Sequence, residues 1–296
     1  MYAPERQQEI LRLAREGGRV DVLSLAEEFQ VTAETVRRDL KALDRAGLVR
    51  RVHGGAIPAG RLDFEPDLAE RDVVAADEKQ RIARAALAEL PGVVLPGAVL
   101  PGAALPGAEP SHREARRDAP RDAHRGAAPN GLGSATGSVI LDAGTTVARL
   151  AAEIPLEAEL TVVTHGLPVA ARLADHPGLT LHLVGGRIRH RTRAAVDDWA
   201  LRAYREINAD VLFLATNGFS LDGGLTTPDL AEAAVKRALI AAARRVVLLA
   251  DSAKFGQQHF ARFGEQSDVD LLITDTGLSP DDALAIERAG TEVVRA

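Results

Sequence analysis

The chain has 296 residues and a mass of 31.4 kDa, which is enough for two domains of ordinary size. Its 36 Lys and Arg against 42 Asp and Glu give a net charge of −6, which argues against a protein that coats nucleic acid nonspecifically. The lack of cysteine excludes disulfide scaffolds and thiolate metal sites. No apolar run approaches the roughly 20 residues that span a bilayer, and no secretory signal is visible, so we expect a cytoplasmic protein without a membrane partner.

The first 57 residues predict three short helices. Pro4 suits the first turn of a helix that ends near Gly17 and Gly18. A second helix is expected from about Ser24, and Thr32 is a candidate N-cap for the third. The third helix is amphipathic, and the residues that recur on its core-facing side are Val36, Leu40 and Leu43. Its opposite face carries Thr35, Arg37, Arg38 and Lys41.

A basic strip covers this third helix and the segment that follows it. Leu48–Ile57 predicts two strands around a glycine turn, a basic wing that can touch the DNA backbone or minor groove. An α-helix fits the major groove, where Arg reads guanine, so we predict DNA binding through both elements. A solvated charged helix face and a protein-interaction module are the alternatives. The expected DNA-contacting residues are Thr35, Arg37, Arg38, Lys41, Arg50, Arg51 and His53.

Two motifs in this region resemble a known family. Arg37-Arg38-Asp39-Leu40, followed by Arg51-Val52-His53-Gly54-Gly55-Ala56, is similar to the signature of DeoR-type bacterial transcriptional regulators. The resemblance implies a winged helix-turn-helix domain at residues 1–57. It also implies a repressor of sugar catabolism that a phosphorylated sugar releases.

The middle of the chain predicts a linker and an insertion. Residues 58–76 are polar and acidic, which predicts a linker with limited regular structure, and residues 77–90 have a helical pattern. From Leu90 onward Leu-Pro-Gly recurs every five residues, and proline at that spacing denies a helix or a central strand. We therefore predict a disordered insertion at 91–137, rich in Pro, Gly, Ala and Arg, that the fold tolerates. A second contact to DNA or to a partner through its arginines is the alternative.

The remainder of the chain alternates short β-rich runs with helical segments. This order predicts a doubly wound parallel α/β sheet, which together with the preceding helix makes a second domain at 77–296. The expected strands are 139–141, 160–164, 179–184, 211–215, 246–250, 271–274 and 293–294. The expected helices lie around 146–153, 167–175, 195–206, 229–244 and 280–289.

Polar residues follow several of these strands, at the edge where a parallel sheet binds its ligands. Asp142-Ala143-Gly144-Thr145-Thr146 joins a strand to a helix, and free N–H groups with hydroxyls at a helix N-terminus suit a phosphate. Glycine after other strands allows a close backbone approach. The candidate effector-binding residues are Asp142, Gly144, Thr145, Thr146, Thr164, Gly185, Gly186, Asn217, Lys236 and Lys254.

These strand ends also resemble the DeoR-type sensor domain, itself similar to ribose-5-phosphate isomerase. The whole resemblance covers residues 1–90 and 138–296. It assigns the phosphate to Gly144, Thr145 and Thr146. It assigns the sugar hydroxyls to Asp142, Asn217 and Lys236, and further positive charge to Lys254. One departure is His165, where the family has asparagine.

A sugar-phosphate isomerase that carries a DNA-binding domain is the competing class. Isomerisation needs a carboxylate base poised over the substrate carbon, and the loop after the fourth strand holds one acidic residue, Asp222. We therefore expect no catalytic residues. The 8 histidines show no ligand spacing, so we expect no metal, and nothing indicates a cofactor.

The sequence thus predicts a DNA-binding regulator, a repressor of a carbohydrate operon whose second domain binds a phosphorylated sugar. One winged helix reads only a short half-site, so we expect at least a homodimer on operator DNA. Gly224–Asp229 looks like fructose-operon members of the family, which makes fructose 1-phosphate the first effector to consider. Whether the effector releases DNA or tightens its binding is open at this point.

Overall fold

Residues up to Val74 and residues from Ala75 onward form two separate units. A computed structural model describes residues 2–17, 19–45, 48–52, 54–58, 65, 67–93 and 137–296. The predicted insertion therefore lies outside the described residues, apart from its two ends at Pro91–Val93 and Gly137. In the described part of the chain, no helix is long and apolar enough to cross a membrane.

The first unit is the winged helix-turn-helix that the sequence predicts. Its core combines Ile10, Leu25, Val36 and Leu40, one or more from each of the first three helices, and all four are buried. Three short strands form an antiparallel sheet in the order β1-β3-β2. The elements are α1 Ala3–Gly17, β1 Val20–Asp21, α2 Val22–Glu28, α3 Ala33–Arg45, β2 Val49–Val52, β3 Gly55–Pro58 and α4 Leu68–Val73.

Two details of this unit differ from the sequence prediction. Helix α2 begins after Asp21 rather than at Ser24, because the Asp21 carboxylate accepts hydrogen bonds from the backbone N–H groups of Leu23 and Ser24. Helix α4 lies inside the stretch that was predicted as a linker. Its N-cap Asp67 accepts from the N–H of Glu70, so this stretch carries more regular structure than its polar composition indicated.

The wing closes tightly on the rest of the unit. Gly54 has a φ of +75°, a conformation that L side chains rarely adopt. A Cβ on Gly55 would lie 1.8 Å from the carbonyl oxygen of Val20, so any side chain there would push β3 away from β1. The Gly-Gly pair is therefore required by the backbone geometry of the wing.

The second unit is built on a parallel sheet of seven strands in the order β15-β14-β12-β9-β4-β5-β6. Helices cover both of its faces, with Ile82, Val147 and Val169 in the core on one side and Val235 and Ile286 in the core on the other. This is the doubly wound α/β fold that the alternation of strands and helices predicts. Its strands in the main sheet are β4 Ser138–Leu141, β5 Leu160–Thr164, β6 Leu179–Leu183, β9 Ala209–Ala215, β12 Ala243–Leu249, β14 Leu271–Thr274 and β15 Glu292–Arg295. Its helices are α5 Ala76–Ala86, α6 Thr145–Glu153, α7 Leu167–Leu173, α8 Asp198–Arg205, α9 Leu230–Ala241 and α10 Pro280–Arg288.

Five further short strands were missing from the sequence prediction. They form an antiparallel pair β7-β8 and a small antiparallel sheet β10-β11-β13. Strands of two to four residues leave no recognisable alternation, and β13 pairs with a strand far away in the sequence, so pattern alone does not reveal them. Their bounds are β7 Arg187–Ile188, β8 Ala195–Val196, β10 Gly218–Ser220, β11 Gly224–Thr227 and β13 Ala261–Gly264.

The two described ends of the predicted insertion lie next to each other. A Cβ placed on Gly137 would be 2.4 Å from the Cβ of Pro91. Gly137 also precedes β4, and the Thr161 N–H donates to its carbonyl oxygen at 3.0 Å. The two described ends of the insertion are thus anchored at one place on the second unit.

Candidate functional site

The exposed face of α3 carries the predicted DNA-contacting residues of the recognition helix. The Thr32 hydroxyl caps the helix by accepting from the Thr35 N–H at 3.2 Å. Arg37, Arg38 and Lys41 are exposed, and Arg37 forms an ion pair at 3.3 Å with the even more exposed Glu34. Thr35 is half-buried, and its hydroxyl lies 2.9 Å from that of Thr32. The helix therefore presents positive charge to solvent while its other side fills the core.

The wing adds a second basic element beside this helix. The Arg51 N–H donates to the Asp44 carboxylate at 3.2 Å, which ties β2 to the end of α3, and the Arg51 side chain is exposed. A cleft of about 370 Å³ separates helix and wing, and both Arg37 and Arg51 line it. His53 and the side chain of Arg50 lie outside the described residues.

The aspartate of the Arg-Arg-Asp-Leu motif has a structural role. Asp39 is buried and accepts hydrogen bonds from Arg6 Nε at 2.5 Å and from Gln7 Nε2 at 3.1 Å. These contacts lock α3 against α1, and that sets the angle at which the recognition helix is presented. Neither Asp39 nor its partner Arg6 had a predicted role.

A buried ion pair stands at the carboxyl ends of β4 and β9 in the second unit. The Lys236 ammonium, from α9, donates to Asp142 Oδ2 at 2.5 Å and to the Ala215 carbonyl oxygen at 2.8 Å. Asp142 also accepts from the N–H groups of Ala215 and Ala143, at 2.8 and 2.7 Å. The two groups are almost completely shielded from water, so their direct contact offsets part of the cost of burying them. The structure thus brings together two of the predicted effector residues.

His165 extends this cluster toward α8. Its Nε2 lies 3.6 Å from Asp142 Oδ1, and its Nδ1 lies 3.1 Å from the hydroxyl of Tyr204. Burial lowers the pKa of His165 below its ordinary value of 6.5, Asp142 opposes that effect and Lys236 adds to it. Burial, with a smaller contribution from Asp142, raises the pKa of Tyr204 well above 10.0. At neutral pH both side chains are therefore neutral hydrogen-bonding groups.

A second charged group borders the ion pair and was missed by the sequence analysis. Glu232 is buried, accepts from the hydroxyl of Thr192 and pairs with Arg189 at 2.8 Å. Burial raises its pKa, but Lys236, Arg189 and Thr192 together outweigh burial and leave the pKa of Glu232 below 4.5. Glu232 and Lys236 are four residues apart on α9, and that spacing, which places both on one helix face, could have identified it.

The N-terminus of α6 lies beside the ion pair. Its N-cap is Gly144, so no side chain caps the first N–H groups of the helix. A Cβ on Gly144 would lie 2.8 Å from the Cβ of Ala215, which shows how closely this turn packs on the end of β9. Thr145 and Thr146, the first residues of the helix, are buried. Free N–H groups and a helix dipole at this point favour an anion.

The remaining predicted effector residues lie around this centre at different distances from it. Thr164 is buried, and its hydroxyl accepts from the Gly166 N–H at the start of α7. Asn217 accepts from the Thr227 hydroxyl at 3.0 Å, and Lys254 pairs with Asp251 at 3.5 Å. Gly185 and Gly186 follow β6 one strand further out. Gly186 packs on Val196 of β8, where a Cβ would lie 2.6 Å from the carbonyl oxygen.

No group of three or more His, Asp or Glu side chains that could hold a metal ion occurs among the residues that the structure describes. The charged side chains at the sheet edge are instead paired with one another. The chemistry that this arrangement offers is the binding of an anionic, hydroxyl-bearing ligand.

Comparison with known proteins gives matches to both units. The model of the DeoR-like helix-turn-helix domain matches residues 6–59, and that of the DeoR C terminal sensor domain matches residues 134–276. The HTH-type transcriptional regulator GlpR of Haloferax volcanii is 31% identical over 99% of this chain and 98% of its own length. The chain belongs to the DeoR family.

Other relatives are consistent with this assignment. The transcriptional repressor AccR of Agrobacterium fabrum is 29% identical to this DeoR-family chain, over 92% of the chain and 90% of its own length. A solved ribose 5-phosphate isomerase A from Methanocaldococcus jannaschii covers 61% of the chain and 55% of its own length at 12% identity, with a TM-score of 0.33. That likeness is too low to carry an argument about activity. As a member of the DeoR family, the chain is a DNA-binding transcriptional regulator.

Proposed function

We propose that this DeoR-family regulator represses a carbohydrate-utilisation operon and that a phosphorylated sugar bound to the second unit lowers its affinity for operator DNA. The observation that carries the proposal is the uncapped N-terminus of α6 beside the buried pair of Asp142 and Lys236. A helix N-terminus attracts phosphate, and paired charged side chains recognise hydroxyl groups. The nearness of these two features at one edge of the sheet supports a sugar phosphate as the ligand.

The phosphate would be held by Gly144, Thr145 and Thr146. Backbone N–H groups at the start of α6 donate to the phosphate oxygens, and the threonine hydroxyls add two more donors. Lys254, which follows strand β12, would add positive charge to the site, and it pairs with Asp251 at 3.5 Å. Both threonine side chains are deeply buried, so the protein groups that cover them must move aside when the ligand binds.

The sugar hydroxyls would be read by Asp142, Asn217 and Lys236, with Thr164 and the backbone at Gly185 and Gly186 shaping the rest of the site. Asp142 accepts from three donors, so its carboxylate is held rigidly in one orientation. A rigid acceptor beside a fixed donor discriminates between sugar epimers, because a hydroxyl in the wrong position leaves one of the two groups unpaired.

DNA would be read by the exposed face of α3 together with the wing. Arg37, Arg38 and Lys41 would enter the major groove with Thr35 at its edge, while Arg50, Arg51 and His53 would contact the backbone or minor groove. One such unit covers a half-site, so the functional species is at least a dimer on paired half-sites. The effector acts by linkage, because it binds more tightly to the conformation that binds operator poorly. The factor by which operator affinity falls is set by the ratio of the effector's affinities for the two conformations.

The test is fluorescence anisotropy on duplex DNA from upstream of the protein's own gene, at one fixed salt concentration. The first effector probe is fructose 1-phosphate, because residues 224–229 look like fructose-operon members of the family. We expect tight binding that the sugar phosphate weakens. If a panel of other phosphorylated sugars also left the affinity unchanged, the effector part of the proposal would be wrong.

Thr145→Val separates the two functions. It removes a hydroxyl from the proposed phosphate site without changing the side-chain volume, so operator affinity should persist while the response to the sugar phosphate is lost. Thr161→Val on β5 is the matched control, since Thr161 is half-buried and lies at the opposite end of its strand from the site. A Thr145→Val protein that still responds normally would contradict the phosphate assignment.

A further inference from the structure

Among the strands that the structure describes, β6 stands at one edge of the seven-stranded sheet. Its one strand neighbour is β5, and its sequence Leu179-Thr180-Leu181-His182-Leu183 contains no Lys, Arg, Asp, Glu or Pro. Edge strands are usually guarded by charge, proline or a bulge, because their free N–H and C=O groups otherwise pair with another chain. The opposite edge, β15, has Glu292 at one end and Arg295 at the other.

The backbone of β6 shows which residues face outward. The Val184 N–H donates to the Thr164 carbonyl oxygen at 2.8 Å, so Val184 directs its backbone groups toward β5. The direction of the backbone N–H and C=O groups alternates along a strand, so those of Thr180 and His182 also point toward β5. The backbone groups of Leu179, Leu181 and Leu183 therefore point away from the sheet. Among the strands that the structure describes, none pairs with β6 on that side.

The side chains of these three leucines are unevenly covered. Leu179 and Leu181 pack partly against the core below the sheet, while Leu183 is 51% exposed. An apolar side chain at the end of an uncharged edge strand is well suited to contact another apolar strand.

We propose that β6 pairs antiparallel with β6 of a second copy of this chain, around a two-fold axis that passes through Leu181. This register overlaps all five residues of both strands and places Leu179 of each copy opposite Leu183 of the other. The leucines that face outward then form the hydrogen-bonded pairs of an antiparallel ladder, and each pair exchanges two bonds. The half-exposed Leu183 is covered by Leu179, and Thr180 lies opposite His182 on the other face of the sheet.

The strand is self-complementary in this register, and that identifies a second copy as the partner. A two-fold interface uses the same surface on both subunits, and Leu-Thr-Leu-His-Leu read against itself pairs apolar with apolar and polar with polar. The result is one continuous sheet through two sensor units. The inference rests on the dimer in the proposed function and assigns its interface.

The test uses the fact that the chain contains no cysteine. In full-length protein, Leu181→Cys places two thiols in a pair whose Cα atoms are about 5.5 Å apart, within disulfide range. Leu183→Cys is the control: its two thiols are separated by four residue steps, about 13 Å along the strand, although the position is more exposed. Under mild oxidation we expect a disulfide-linked dimer from Leu181→Cys and monomer from Leu183→Cys on a non-reducing gel. Equal or reversed cross-linking would overturn the register.

A second measurement does not depend on disulfide chemistry. Leu183→Lys places a charge on the edge and should weaken the dimer roughly tenfold or more in sedimentation velocity. Leu284→Lys on α10, at a position of similar exposure, should leave the dimer intact. Unchanged dimerisation of Leu183→Lys, with an unchanged melting temperature, would overturn the interface. If the wild type meanwhile bound operator and responded to a sugar phosphate, the proposed function would stand and only the interface would fail.

Discussion

Replacing Lys236 with methionine removes the cation from the buried pair and should destabilise the second unit severely. The Lys236 and Asp142 side chains are 6% and 0% exposed, so the carboxylate that remains has no access to water. Breaking a buried ion pair by deleting one partner costs about 3–5 kcal/mol. Asp142 keeps two backbone N–H donors, from Ala143 and Ala215, and we therefore expect the lower end, about 3 kcal/mol.

This loss is measurable by thermal and urea unfolding of the full chain. For a unit of roughly 200 residues, 1 kcal/mol corresponds to about 2–4 °C, so the transition of the second unit should move down by roughly 6–12 °C. Arg237→Met is the matched control, because Arg237 is the exposed neighbour of Lys236 on α9 and its loss should cost less than about 1 kcal/mol. In the double variant with Asp142→Asn, the total loss of stability should be smaller than the sum of the losses in the two single variants. A cost for Lys236→Met equal to that of Arg237→Met would refute the reasoning.

Three further predictions concern the DNA face, the buried histidine and the insertion. Arg38→Ala should weaken operator binding by roughly tenfold, because one base contact contributes about 1–3 kcal/mol, and it should not change the melting temperature. Arg202→Ala on α8 is the control and should leave operator binding unchanged. Unaltered anisotropy titrations with Arg38→Ala would show that the recognition face is misassigned. Because burial lowers the pKa of His165, the unfolded chain binds a proton that the folded chain refuses, so stability should fall as pH drops below 6.5. In the His165→Asn variant, the melting temperature should fall less between about pH 7.5 and pH 5.5 than it does in the wild type. A fall of the same size in the variant would rule out His165 as its source. Deleting residues 94–136 with a short splice should preserve DNA and effector binding, and a large fall in melting temperature would disprove the neutral character of the insertion.

The regular part of the fold could be predicted because each element has a clear period. The strand at 271–274 and the helix at 280–289 are strongly patterned, and the structure confirms both to within a residue. The antiparallel pieces β7-β8 and β10-β11-β13 could not be predicted in this way, since their residues become strands only through partners supplied by tertiary structure.

The candidate site was predictable to the extent that it follows strand ends. Asp142 was recognised because parallel sheets bind ligands at that edge, and Lys236 because its helix follows one of these strand ends; the structure places the two in contact. Glu232, Arg189 and Tyr204 reach the same cluster from helices and a hairpin. Their position depends on how those elements pack, and residue type alone does not reveal it.

The contact between Pro91 and Gly137 has a practical consequence. Because the described ends of the insertion lie next to each other on the second unit, foreign domains whose own termini are close together can be inserted between them without stretching the host. A circularly permuted fluorescent protein placed between residues 93 and 137 would be joined at one end, by residues 138–141, directly to the strand that leads into Asp142. If the proposed effector binds at that strand end, its binding would be transmitted through four residues to the chromophore, and the regulator would become an optical reporter of that ligand.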